Sequence, residues 1–275
     1  MFTNNGNILK INGDWLKPSS SPVPPEPVPP EPVLPDNTIR LKYVDGVTPT
    51  FSKGTAVKVS SSPNVWDLTC NDLWWCLLQG HTNLLEVIAA NSSNITNMGY
   101  MFDGCKSLTK VALFDTSSVI YMEYMFESCS SLQEVPLFDT SNVINMNGTF
   151  NYCRTLTIVP LFNTSKVTDM SLMLRNCYAL RTVPLFNTSN VTNMDSMFQY
   201  CDALTSIPLF DTSKVTNMKS MFEYCTHVQS GALALYKQAS TQTTKPRNHN
   251  RTFLYCGANT TSGSAELAQI ADDWK

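Results

Sequence analysis

Between residues 90 and 233 the apolar and polar positions follow one template six times over. In the copy at residues 114–137, FDTSSVIYMEYMFESCSSLQEVPL, the apolar residues Val119, Met122, Met125, Phe126 and Cys129 fall at steps of three and four. That is the spacing of one buried helical face, so this half of the copy is predicted to be an α-helix or a 3-10 segment. Asp115, Thr116 and Ser117 stand before it, with side chains able to accept from the free N–H groups of a first turn, which writes turn and cap chemistry into every copy. Past the cysteine the spacing changes, and Leu132, Val135 and Leu137 suit a short strand whose copies stack in parallel about 4.8 Å apart. Pro136, Pro160, Pro184 and Pro208 lack the N–H that an inner strand donates, so a narrow ladder with the prolines at its end is expected.

The register of the repeat is set by cysteine, which recurs at 105, 129, 153, 177, 201 and 225, each 24 residues after the last. A period of 24 lies within the leucine-rich-repeat range. Residues 66–89 keep the length and the apolar Leu84 and Val87, but place His81 in the cysteine column and Trp74 in a methionine column, as suits a terminal coil that shields a stack. The expected fold class is α/β: a leucine-rich-repeat solenoid of about seven coils over residues 66–233, with a short parallel β ladder.

Composition shifts divide the remainder. Residues 18–35 (PSSSPVPPEPVPPEPVLP) are half proline and favour polyproline II, a stiff spacer of roughly 50 Å. Before it, residues 1–17 hold the small apolar set Ile8, Leu9, Ile11, Trp15 and Leu16, too few to bury a core alone, and read as a docking peptide that needs a partner surface. Residues 36–65 read as a β-rich N-terminal cap, with Ile39, Leu41 and Tyr43 alternating with polar residues, a turn at Asp45 and Gly46, and Val57 and Val59 following. Residues 234–275 read as a C-terminal cap, helical near 232–239 and 265–274 with a polar loop between.

The consensus FDTSxVTNMxxMFxxCxxLxxVPL, nearly intact at residues 186–209 and 210–225, resembles the BspA-type family of bacterial leucine-rich-repeat surface proteins. The resemblance covers residues 66–233 and implies a solenoid with a role in adhesion to host or matrix components. The shared columns are core residues, so the resemblance implies no ligand residue.

A net charge of -3 speaks against nucleic acid, which demands a lysine and arginine excess. No run approaches the roughly 18 apolar residues of a membrane span, and the start, MFTNNGNILKINGDWLK, lacks the pattern of a secretory signal. The cysteine ladder is expected to consist of buried, reduced thiols, because equivalent residues of stacked coils sit nearly 5 Å apart, beyond the Cβ separation of about 3.8 Å that a disulfide prefers. Cys70, Cys76 and Cys256 stand outside the ladder and complete no zinc set. The methionine columns share the phase of the phenylalanines and read as core. Asp115, Asp139, Asn163, Asn187 and Asp211 offer one oxygen side chain per coil, better suited to turns than to calcium. His81, His227 and His249 are far apart, and no catalytic arrangement, metal site or cofactor motif is evident.

Positions that vary between coils are where a binding surface can be built. On the strand side these are Thr109, Lys110, Gln133, Glu134, Thr157, Ile158, Arg181, Thr182, Thr205 and Ser206, the ligand-binding face expected here. An aromatic set, Tyr124, Tyr152, Tyr178, Tyr200 and Tyr224, offers area with a polar tip. Peptide, spacer and repeat body together read as a non-enzymatic display protein. The docking peptide would grip a particle or envelope protein, and the solenoid would hold a cell-surface protein or glycan. The expected setting is the virion surface, as a bacteriophage fibre or decoration protein; the alternative is a bacterial cell surface, as a BspA-like adhesin. Self-association of the chain is left open.

Overall fold

The computed structural model describes residues 10–11, 14–15, 33–70, 74–243 and 245–275. The chain forms two units, residues 1–33 and 34–275. In the first, strands β1 (Lys10–Ile11) and β2 (Asp14–Trp15) pair antiparallel, Lys10 opposite Trp15. Of the expected docking residues, Ile11 and Trp15 lie on these strands, while Ile8, Leu9 and Leu16 lie outside the described residues, as do residues 18–32 of the spacer.

The second unit opens with a mixed sheet. Strands β3 (Thr38–Tyr43), β4 (Thr55–Ser61), β5 (Asn64–Thr69), β6 (Leu84–Asn91) and β7 (Lys110–Val111) take the order β4-β5-β3-β6-β7. Every pairing is antiparallel except that of β6 with β7, which is parallel. Alternation explains the faces: Ile39, Leu41 and Tyr43 are buried, whereas Val57 and Val59, on the edge strand, are exposed.

From Trp74 onward the chain is a stack of coils, and here the expected helix is replaced. No α-helix or 3-10 helix occurs in the repeats among the described residues. The N–H groups of Met98, Tyr100, Phe102 and Gly104 instead donate to the carbonyls of Tyr121, Glu123, Met125 and Glu127 in the next coil, at 2.8 to 3.0 Å. Between them, the N–H groups of Met101, Asp103 and Cys105 reach back three residues to Met98, Tyr100 and Phe102. The backbone is therefore a run of tight turns with every second N–H aimed along the stack. Two residues per coil, four apart, take positive φ to make this possible: Tyr124 (54°) and Ser128 (58°), then Gly148 (60°) and Tyr152 (61°), and so on to Tyr224 (60°). A short helix would gain few internal hydrogen bonds. The stacked turns give each coil a set of bonds to both neighbours.

The steps of three and four still mark the core. Val119, Met122, Met125, Phe126 and Cys129 are all at most 2% exposed, and Phe102, Phe126 and Phe150 stack with ring centroids 5.2 and 5.6 Å apart. Each ladder cysteine donates its thiol to a carbonyl in the preceding coil, as Cys129 does to Phe102 at 3.2 Å, and all nine cysteines are free thiols. A second ladder is built from buried threonines: the hydroxyls of Thr116, Thr140, Thr164 and Thr188 donate to the carbonyls of Asp139, Asn163, Asn187 and Asp211 at 2.7 to 2.9 Å.

The expected strand half is also slighter than its apolar pattern suggests. β6 and β7 share two residue pairs, Ser206 bridges Ser230, and isolated N–H bonds such as Thr157 to Gln133 (3.0 Å) and Thr205 to Arg181 (3.1 Å) complete it. Past Val135 the chain closes three-residue turns, the N–H of Phe138 donating to the carbonyl of Pro136 at 2.9 Å, with counterparts at Phe162, Phe186 and Phe210. Leu132 and Val135 are buried, but Leu137, grouped with them in the expected strand, is 60% exposed: the turn at the proline takes it out of a strand.

Stacking continues beyond residue 233. Helix α1 (Ala232–Thr241) is inserted, and then the N–H groups of Met218, Ser220, Phe222 and Tyr224 find the carbonyls of Asn248, Asn250, Thr252 and Leu254. Cys256 and Phe253 stand 31 residues after Cys225 and Phe222 rather than 24, and both are buried in the same core. Cys256 thus extends the ladder it was expected to stand outside. Helix α2 (Thr261–Leu267) and a 3-10 turn (Asp272–Trp274) close this end, with Trp274 buried against Phe253. Gln238 of α1 caps the threonine ladder, its amide donating to the carbonyl of Phe210 at 2.7 Å and reaching Thr212.

Candidate functional site

Residues left free by the core stand over this hydrogen-bonded stack, and their 24-residue spacing brings them into short columns. On the strand side, Lys110 and Glu134, from adjacent coils, line a cleft of about 320 Å³ with Thr109 and Pro136. Arg181 and Thr205 line a second, of about 310 Å³, whose other walls include Tyr178, Asp202, His227 and Gln229. Gln133, Thr157, Ile158, Thr182 and Ser206 are exposed in the same part of the coils but line neither cleft.

The second cleft holds a polar cluster that sequence reasoning missed. The Thr226 hydroxyl donates to Oδ1 of Asp202, and Nδ1 of His227 lies 2.9 Å from the Asp202 carbonyl and 3.3 Å from Oδ1. The signal was available in the columns after the cysteines, because Tyr178, Asp202 and Thr226 are successive copies of one position. The Thr226 hydroxyl also lies 3.2 Å from Nδ1 of His227, so carboxylate, hydroxyl and imidazole form one hydrogen-bonded cluster beside the groove.

A third cleft, of about 380 Å³, lies between Lys106, Ser128, Ser130, Tyr152 and Arg154. The Arg154 guanidinium is held over two rings, 5.7 Å from the Tyr152 centroid and 5.9 Å from that of Tyr178. The tyrosines otherwise form stacked pairs along the positive-φ columns: Tyr100 with Tyr124 (4.9 Å), Tyr200 with Tyr224 (4.9 Å) and Tyr224 with Tyr255 (5.0 Å). Most are half-buried; Tyr178 and Tyr255 are exposed.

Electrostatics separate the structural polar groups from the available ones. The Asp115, Asp139 and Asp211 carboxyls are held below the usual carboxylate range by the hydroxyl and N–H of the serine two residues on, and Asn163 and Asn187 accept the same N–H bond, which ties this column to its turns. Burial raises the Glu127 carboxyl, with the neighbouring Asp103 adding to it, and the Asn151 amide donates to it at 2.8 Å. His81 occupies the cysteine column of the first coil with Nδ1 2.6 Å from the Tyr43 hydroxyl, a packed position facing Phe51.

The family model described as "Mycoplasma protein of unknown function, DUF285" matches residues 77–179 and 157–257, which together span two thirds of the 275 residues. The matched stretch includes the rung that follows α1. Among solved structures the chain is similar to the leucine-rich-repeat protein of T. pallidum, with 16% identity, a TM-score of 0.37, and coverage of 65% of this chain and 81% of that one. No curated protein matches the sequence.

Proposed function

The chain belongs to the DUF285 family, and from that premise we propose that it is a non-enzymatic recognition protein of the bacterial cell surface. The observation that supports this reading is the division of labour within each coil. Core, threonine and cysteine ladders repeat almost without change, while the strand-side residues differ from coil to coil, and Lys110, Glu134, Arg181 and Thr205 among them line two clefts. A rigid stack bearing a varied surface is suited to holding a protein or glycan over several coils at once. The sheet at residues 38–69 and the helices after residue 232 serve as caps to the stack, and the peptide before the proline-rich segment serves as its attachment. The family description places related sequences in Mycoplasma, which favours the BspA-like adhesin setting over the virion appendage.

Fractionating a producing culture into cell envelopes and virus-like particles, and quantifying the chain by peptide mass spectrometry, tests the setting: enrichment in envelopes is expected, and fixed stoichiometry with capsid proteins would overturn it. The recognition face is tested by binding of the purified protein to intact host cells. Arg181→Ala combined with Gln229→Ala, both in one cleft, is expected to weaken that binding at least tenfold with the unfolding transition unchanged. Undiminished binding would remove this face from the proposal.

A further inference from the structure

Leu113, Leu137, Leu161, Leu185 and Leu209 occupy one position of five successive coils, and they are 65%, 60%, 61%, 60% and 54% exposed. Leucines in register on a stack with a rise of about 4.8 Å per coil make an apolar ridge roughly 20 Å long. The residue before each is Pro136, Pro160, Pro184 or Pro208, with Ala112 in the first coil, and the residue after each is a buried phenylalanine, so the ridge carries no charge. Ile158, 55% exposed, adds apolar surface in the coil of Leu161. An isolated exposed leucine needs no explanation, but five in line expose on the order of 500 Å², the size at which an apolar patch marks an interaction site.

We propose that this ridge is a self-association surface, and that its occupant is the same ridge of a second copy, running antiparallel across a two-fold axis at Leu161. Three features favour this occupant. The first is the period: a row of leucines repeating at the rise of this stack meets another such row at the same spacing, leucine against leucine. The second is area, since two ridges of on the order of 500 Å² each bring the buried total to about 1,000 Å², the threshold of a specific interface. The third is charge. Asp115, Asp139 and Asp211 run along the phenylalanine side of the ridge, which disfavours an anionic membrane surface. Each of these carboxylates is already bonded to the N–H of the serine two residues on. The two-fold pairs Leu113 with Leu209, Leu137 with Leu185, and Leu161 with its own counterpart.

Sedimentation velocity on the full chain up to about 100 μM is expected to show a dimer, and Leu161→Asp to sediment as a monomer with an unchanged circular dichroism spectrum. The register has its own readout. Under mild oxidation Leu161→Cys is expected to form disulfide-linked dimers by itself, whereas Leu113→Cys and Leu209→Cys are expected to link when mixed and not separately. A wild-type chain that stays monomeric over this range, a dimer that survives Leu161→Asp, or linkage of Leu113→Cys to itself would each overturn the proposal. The cell-binding test changes Arg181 and Gln229, whereas this one changes the leucines and reads association of the chain with itself, so the two proposals fail separately.

Discussion

The thiol of Cys129 donates to the backbone carbonyl of Phe102 in the preceding coil, 3.2 Å away. The same bond recurs from Cys105 to Cys225, so each ladder cysteine is a small apolar filler that also satisfies a buried carbonyl. Burial pushes the Cys105 and Cys201 thiols up to about 12 and raises the other ladder thiols in the same direction, which leaves almost no thiolate at neutral pH. A thiol-specific disulfide reagent at pH 8 is therefore expected to label the native protein at Cys76 alone, the one cysteine that is not fully buried, and all nine after unfolding. Rapid native labelling of peptides containing residues 129, 153 or 177 would show that the ladder is not sealed.

Thr164 separates hydrogen bonding from packing. It is 1% exposed, and its hydroxyl donates to the Asn187 carbonyl at 2.7 Å. Thr164→Val keeps the shape and leaves that part-buried carbonyl without its donor, so a loss of about 1 kcal/mol is expected from urea unfolding. Thr164→Ser, which keeps the donor, is expected to lose less than the valine variant. Equal losses would assign the effect to packing.

The repeat and its core were legible in the sequence because burial depends on which side chains face inward, and Val119, Met122, Met125, Phe126 and Cys129 do so on either backbone. The helix was misread because steps of three and four suit a helical face and this run of turns equally. The turns need positive φ at two columns, where tyrosine, serine and asparagine mostly stand; Gly80, Gly104 and Gly148 in those columns were the available sign. Leu137 continues the apolar spacing of Leu132 and Val135, and that spacing does not show the proline turn that sets it apart. The rung at residues 248–256 escaped notice because the insertion of α1 shifts its spacing from 24 to 31. The clefts were legible in part: variable strand-side positions included Lys110, Glu134, Arg181 and Thr205, but Asp202 and His227 joined them only through the stacking of coils.

Gly148 has φ of 60°, and a Cβ built on it would lie 2.3 Å from Cε1 of Tyr124, whose ring covers it. Gly148→Ala therefore meets both the left-handed backbone penalty, about 1 to 2 kcal/mol, and a clash with an aromatic ring. Combining it with Tyr124→Ala removes the clash and leaves the backbone term. Urea unfolding is expected to show the double variant losing less than the sum of the two single changes, a coupling that arises between residues in contact. Strict additivity would mean that the ring is free to move off the glycine.

His81 gives the N-terminal sheet a pH dependence of definite sign. Burial lowers its pKa from the ordinary value of about 6.5, and burial raises that of Tyr43, keeping the phenol protonated. A neutral imidazole can accept the phenol proton at Nδ1, 2.6 Å away, and a protonated one cannot. As pH falls below about 6.5 the unfolded chain takes up a proton at this histidine before the folded chain does. By linkage the fold then loses stability down to the folded pKa, below which the loss is complete. Thermal unfolding between pH 7.5 and 5 is thus expected to fall more steeply with acid in the wild type than in His81→Gln, which keeps a polar partner for Tyr43 and cannot titrate. Parallel curves would mean that His81 is solvated well enough to titrate as it does in the unfolded chain.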